Sequence, residues 1–248
     1  MSKPLETRFK RIETKYIVAK EDLDALLTDL KVYLVEDDYP TSTISNIYFD
    51  TEDFQVIQDS IAKKNHREKI RMRTYLANPQ ADSQVFLEIK KKDQEGVGHK
   101  FRLVSTPSAI TALLENGQVD SSITDQDLLD EIHELRQRYD GLKPRMYIYY
   151  DRYSLKEKHS IKGYSSTKVR VTIDQNLTYR DHDVSLFNGN DGQALLDEGY
   201  VIMEIKAPGQ QPKWLADILE EHGIEAQKFS KYSTAYRKSQ GIVPQMTK

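Results

Sequence analysis

An α+β fold, with a closed antiparallel β-barrel of charged interior flanked by amphipathic helices, is the class this sequence predicts. Three observations predict it. Segments rich in β-branched and aromatic residues follow one another through short turns, which disfavours the long crossovers of a parallel sheet. Those segments alternate apolar with charged residues at a period of two. Helical periodicity is confined to a few separate stretches that could cover the apolar faces of the strands.

The elements follow in order. Phe9–Val18 reads as the first strand, and Glu21–Tyr33 as a helix with Leu23, Leu26, Leu27 and Leu30 on one face. Strands are expected at Thr43–Asp50, Glu68–Tyr75, Val85–Lys92 and Lys100–Ser105. Asn78-Pro79 ends the third strand, and Gly96 with Gly98 suits a hairpin turn between the fourth and fifth. Helices are expected at Pro107–Glu115 and Asp125–Tyr139, the latter striped by Leu128, Leu129, Ile132 and Leu135. Strands return at Arg145–Leu155, Thr167–Asp174 and Tyr200–Ala207, and helices near Pro212–His222 and Ser230–Ser239 close the chain. The acidic stretch 116–125 is the best linker candidate, but the strands on its two sides share one pattern. A single domain over residues 1–248 explains that likeness best.

Composition narrows the function. The 248 residues carry a formal net charge of −3, which argues against a general basic surface for nucleic acid. The absence of cysteine excludes disulfides and thiolate metal sites. No apolar run approaches the roughly 20 residues that span a bilayer, and the N-terminus lacks the apolar core of a signal peptide. The expectation is a soluble, cytoplasmic protein. If it works at a membrane, a membrane-protein partner must supply the anchor.

Sorting the strands by face gives a repeated result. Arg71, Arg73 and Tyr75 oppose Ile70, Met72 and Leu76, and Phe86, Glu88 and Lys90 oppose Val85, Leu87 and Ile89. Lys100 and Arg102 oppose Phe101 and Leu103, and Lys168 and Arg170 oppose Val169 and Val171. Glu204 and Lys206 oppose Met203 and Ile205, and Arg11, Glu13 and Lys15 share one face of the first strand. A sheet with one solvated face yields the same alternation in any single strand. Across all strands, however, bases outnumber acids on the charged face, and like charges placed side by side weaken a sheet. Such a face has an anion to hold. Phosphate fits, because guanidinium groups clamp its oxygens in pairs. Glu13, Glu88 and Glu204, each in a Glu-x-Lys tripeptide, are the natural partners of a divalent metal, Mg²⁺ or Mn²⁺. His66, His99 and His133 lack metal-ligand spacing.

The stretches ETKY, NIYFDT, KIRMRTY, FLEIKKK with GHKFRL, LKPRMYIYYDRYSL, KVRVTID, VIMEIKAP and KFSKYS occur in that order. Together they resemble the polyphosphate polymerase domain of the vacuolar transporter chaperone (VTC) family, a branch of the triphosphate tunnel metalloenzymes. The resemblance implies that Lys15, Arg71, Arg73, Lys90, Lys100, Arg152 and Arg170 are basic tunnel residues holding nucleotide phosphates or product. It implies that Glu204 binds metal and that Lys228, Ser230 and Lys231 contact phosphate. Ser230 also reads by itself as a helix N-cap, a position that favours a nearby anion. The wider triphosphatase branch opens with Glu-x-Glu-x-Lys, where this chain has Arg11-x-Glu13-x-Lys15. That departure favours polymer synthesis, from ATP to polyphosphate, over hydrolysis of a triphosphate. The alternatives are a triphosphatase and a polyphosphate-binding sensor that turns nothing over.

Overall fold

Residues 11–65, 67–92, 98–158 and 169–242 are described by a computed structural model. Lys168, His66, Gly96 and the first residues of the strands expected from Phe9 and Thr167 lie outside the described residues. The elements run β1 (Arg11–Ala19), α1 (Lys20–Tyr33), β2 (Leu34–Asp50), α2 (Gln55–Ile61), β3 (Arg67–Thr74), β4 (Val85–Lys92) and β5 (Gly98–Ser105). After these come α3 (Pro107–Asn116), α4 (Gln126–Arg138), β6 (Lys143–Glu157), β7 (Arg170–Arg180), β8 (Gln193–Ala194), β9 (Tyr200–Pro208), α5 (Lys213–Glu221) and α6 (Lys231–Ser239).

The strands form one antiparallel sheet in the order β1-β9-β7-β6-β2-β3-β4-β5, and β8 pairs with β7 off that path. The expected barrel is not there. Among the described residues β1 and β5 end the sheet and do not pair, so it is open. Face alternation is the same in an open sheet and a barrel. Closure depends on the stagger between first and last strands, which no single strand encodes.

The chain divides into two compact units. One comprises Met1–Ser42, Asp151–Asn176 and Leu196–Phe229, and the other Thr43–Tyr150, Leu177–Leu195 and Ser230–Lys248. Each has its own core. In the first unit Tyr16, Val18, Val171, Ile173, Val201, Met203 and Ile205 pack on Leu26 and Leu30 of α1 and on Trp214, Leu215 and Ile218 of α5. Tyr33 stacks on Trp214 with ring centroids 4.5 Å apart. In the second unit Ile47, Phe49, Ile70, Met72, Leu87 and Ile89 pack on Ile110, Leu113 and Leu114 of α3 and on Leu128, Ile132 and Leu135 of α4. In both, the apolar strand face lies under helices as its periodicity requires, and the charged face is the other one.

Helix starts follow their caps. Thr106 and Asp125 accept the N–H groups of Ala109 and Leu128 and so open α3 and α4. By contrast α2 has no side-chain cap and begins from Phe54 in the left-handed region at φ 62°. It is not expected from the sequence, being only seven residues long, too short to show a helical period. β2 also starts earlier than expected, because Glu36, Asp37, Asp38 and Pro40 hide its strand pattern. No helix among the described residues is long and apolar enough to cross a membrane.

Candidate functional site

In the second unit the charged face is organised by Glu88. Its register partners are Arg71 on β3 and Arg102 on β5. Arg71 donates from Nε and Nη2 to Glu88 Oε2 at 2.9 and 2.7 Å. Lys100 Nζ lies 2.8 Å from Oε1, Arg102 Nε 3.7 Å from it, and Arg73 Nη1 3.9 Å from Oε2. Among the described residues one carboxylate therefore serves four cations. Burial alone would raise its pKa, but Arg71, Lys100 and Arg73 outweigh that and hold it well below the usual carboxylate range.

Arg71 and Arg73 of β3 are pinned from several sides. Arg73 Nε donates to Asn46 Oδ1 and its Nη2 to the Tyr150 hydroxyl, both at 2.8 Å. The Asn46 amide in turn donates to the Ile148 carbonyl at 3.0 Å. Arg71 Nη1 reaches the Tyr48 hydroxyl at 3.4 Å. Burial would raise the Tyr48 phenol, yet Arg71, with Arg73 and Lys69, brings it down to about 8. Lys100 and Arg102 differ, with side chains 48% and 43% exposed and able to meet a ligand. Lys90, also exposed, stands in register between Lys69 and Lys100, so three lysines cross adjacent strands in one row.

The start of α6 belongs to the same face. Ser230 caps it by accepting the Ser233 N–H, and also accepts from Lys69 Nζ at 2.9 Å. The Lys231 ammonium sits 4.5 Å from the Tyr150 ring centroid. Tyr232 stacks on Tyr48 at 4.3 Å and donates to Asp50 Oδ2 at 2.7 Å. Lys69, Asn46, Tyr48, Asp50 and Tyr150 are site residues that sequence reasoning misses or leaves unassigned. For Lys69 the signal is present, since it shares strand parity with Arg71 and Arg73.

In the first unit β1, β9 and β7 lie side by side, and their charges alternate across the strands. Lys15 is opposite Glu204, which is opposite Thr172, while Glu13 is opposite Lys206, which is opposite Arg170. Lys206 Nζ lies 2.8 Å from Glu204 Oε1 and 3.6 Å from Glu13 Oε2, so both carboxylates turn toward one ammonium. Lys15 Nζ is 3.3 Å from Glu13 Oε1 and donates to the Phe229 carbonyl at 3.2 Å. Burial would raise Glu204, but Lys206 foremost, then Lys15 and Arg152, lower it to about 2. It is ionised at any ordinary pH. Arg152 makes a two-pronged contact with buried Asp174 at 2.6 and 2.8 Å. Arg170 pairs with Asp37 at 2.9 Å, and Lys228 is exposed on the segment before α6.

Of the three expected metal carboxylates, Glu13 and Glu204 lie in the first unit and Glu88 in the second. Glu88 is saturated by cations, and no group of three His, Asp or Glu side chains among the described residues could hold a metal. Glu13 and Glu204, both turned toward Lys206, offer the hard oxygen donors that a divalent ion takes. Mg²⁺ commonly takes one or two carboxylates, with phosphate and water completing its shell. A buried hydroxyl on the residue opposite Glu204, Thr172 Oγ, has no hydrogen-bond partner among the described residues.

A family model described as the VTC domain matches residues 10–240. No curated protein matches. Among solved structures, a candidate adenylate cyclase from Bacillus halodurans is similar at 17% identity and a TM-score of 0.49, covering 89% of this chain and 93% of that one. Another from Vibrio parahaemolyticus has 13% identity and a TM-score of 0.45, covering 91% of this chain and 97% of its own.

Proposed function

This chain belongs to the VTC domain family, and from that premise we propose that it is an ATP-dependent polyphosphate polymerase, moving the γ-phosphate of ATP onto phosphate or a growing chain. The observation that carries the reading is the base excess on one sheet face of the second unit. Arg71, Arg73, Lys100 and Arg102 share the single carboxylate Glu88, and Lys69, Lys90 and Lys100 stand in a row. Such a face is unfavourable until a polyanion neutralises it.

In this reading Arg71 and Arg73 present fixed positive charge to the transferring phosphoryl group, because Glu88, Asn46 and Tyr150 leave them little freedom. Phosphoryl transfer needs little more from a protein than positioning and charge neutralisation. Lys90, Lys100, Arg102 and Lys231 bind phosphate oxygens in the second unit, and Lys15, Arg152, Arg170, Lys206 and Lys228 do so in the first. Lys168, outside the described residues, joins them on the sequence alternation alone. Ser230 contributes its hydroxyl at the start of α6. Glu204 and Glu13 would hold Mg²⁺ or Mn²⁺, whose charge would neutralise phosphate oxygens. Glu88 is read as the anchor of the arginines rather than as a metal ligand.

The test is a product assay with ATP and Mn²⁺, resolved on a gel. Ladders of long chains, lost on treatment with an exopolyphosphatase, are the expected result. Phosphate without chains would make the protein a triphosphatase, and no turnover with either metal would make it a binding protein. Lys100→Ala and Arg102→Ala should each raise the KM for ATP roughly tenfold or more, the scale of a charge-assisted hydrogen bond.

A further inference from the structure

Thr172 stands on the charged face of β7, with strand parity matching Arg170 and Asp174. Its side chain is nearly sealed, the residue being 3% exposed, yet Oγ makes no hydrogen bond among the described residues. A buried hydroxyl without a partner destabilises a fold, and valine would fill the same β-strand space without that penalty. The arrangement makes sense when a ligand supplies the missing partner. The surroundings indicate which ligand. Across the strands Thr172 faces Glu204, and Glu204 and Glu13 both turn toward Lys206 Nζ.

Building on the proposed function, we infer that Thr172 is part of the divalent-cation site of the first unit, where its hydroxyl hydrogen-bonds a water carried by an ion on Glu204. Two carboxylates leave most positions of a six-coordinate ion to water and phosphate, and Mg²⁺ and Mn²⁺ retain water readily. A neutral hydroxyl suits such a water. It orients the water without adding charge, as outer-shell groups do around other metal sites. Thr172 is thus a positioning residue that acts through the cation's water.

Thr172→Val separates this role from a structural one. In EDTA the variant should melt at or above the wild-type temperature, because it removes an orphaned hydroxyl. Its affinity for Mn²⁺ alone, measured by electron paramagnetic resonance without nucleotide, should fall about 10- to 100-fold, as outer-shell losses do. Thr172→Ser, which keeps the hydroxyl, should stay within a few-fold of wild type. Unchanged Mn²⁺ affinity in Thr172→Val overturns the inference. Glu204→Gln is the control for the site itself. If Glu204→Gln loses Mn²⁺ while Thr172→Val keeps it, only the role of Thr172 falls. If the wild type binds no Mn²⁺, the cation site falls with it, and the product assay still decides the polymerase reading independently.

Discussion

Tyr48 and Tyr147 are alike in the sequence, and only their strand parity separates them. Tyr48 shares the charged face with Asn46 and Asp50 and sits against Arg71, while Tyr147 lies in the apolar core under the helices. That environment gives Tyr48 a titration of its own. With its pKa lowered to about 8, the folded protein favours the phenolate. The stabilisation is absent below pH 8, grows as pH rises, and is complete only above the ordinary tyrosine pKa of about 10. Phenolate absorbance should show one tyrosine ionising near pH 8, and Tyr48→Phe should remove that step. If the early step survives in Tyr48→Phe, the pairing with Arg71 is wrong. Single residues such as Arg71, Arg73 and Glu204 are legible in the sequence, because alternation assigns a face. Their partners are not. Glu88 reads there as a metal ligand, and only the fold surrounds it with cations from the two strands beside it.

At the scale of elements, α6 shows how a helix with little apolar content of its own is held. Its N-cap is local, but Tyr232 fixes it by stacking on Tyr48 and donating to Asp50. Asp50 also accepts the N–H groups of Thr51, Val56 and Ile57, so one buried carboxylate anchors both α2 and α6. Tyr232→Phe should cost about 1.5–3 kcal/mol in urea unfolding, the range for a hydrogen bond to a charged group. A cost near zero would mean that stacking alone docks the helix. The longer helices are readable from apolar stripes and caps. The short helix α2 is not, since Asp50 starts it from outside and Phe54 enters it at positive φ.

For the whole molecule the two cores have no residue in common. Leu30→Ala in the first and Ile132→Ala in the second should each cost about 2–5 kcal/mol. Their effects should add within about 0.5 kcal/mol in the double variant, because they share no packing partner. Departure from additivity by more than about 1 kcal/mol in equilibrium unfolding would show that the cores respond as one. The long strands β2 and β6 contribute to both, through Leu34 and Leu155 in the first core and Ile47 and Tyr147 in the second.

Strand alternation and helix periodicity, both local, determined from the sequence alone which residues form the charged face and which lie under helices. Motif order carried the family resemblance over nearly the whole chain. Only the tertiary structure decided that the sheet is open, that Glu88 is enclosed by cations, and that Glu13, Glu204 and Thr172, whose hydroxyl has no partner among the described residues, share adjacent strands of one unit. Those outcomes depend on register and on strand ends that meet far apart in the chain. A period of two says which way a side chain points, but not which side chain of another strand it will meet.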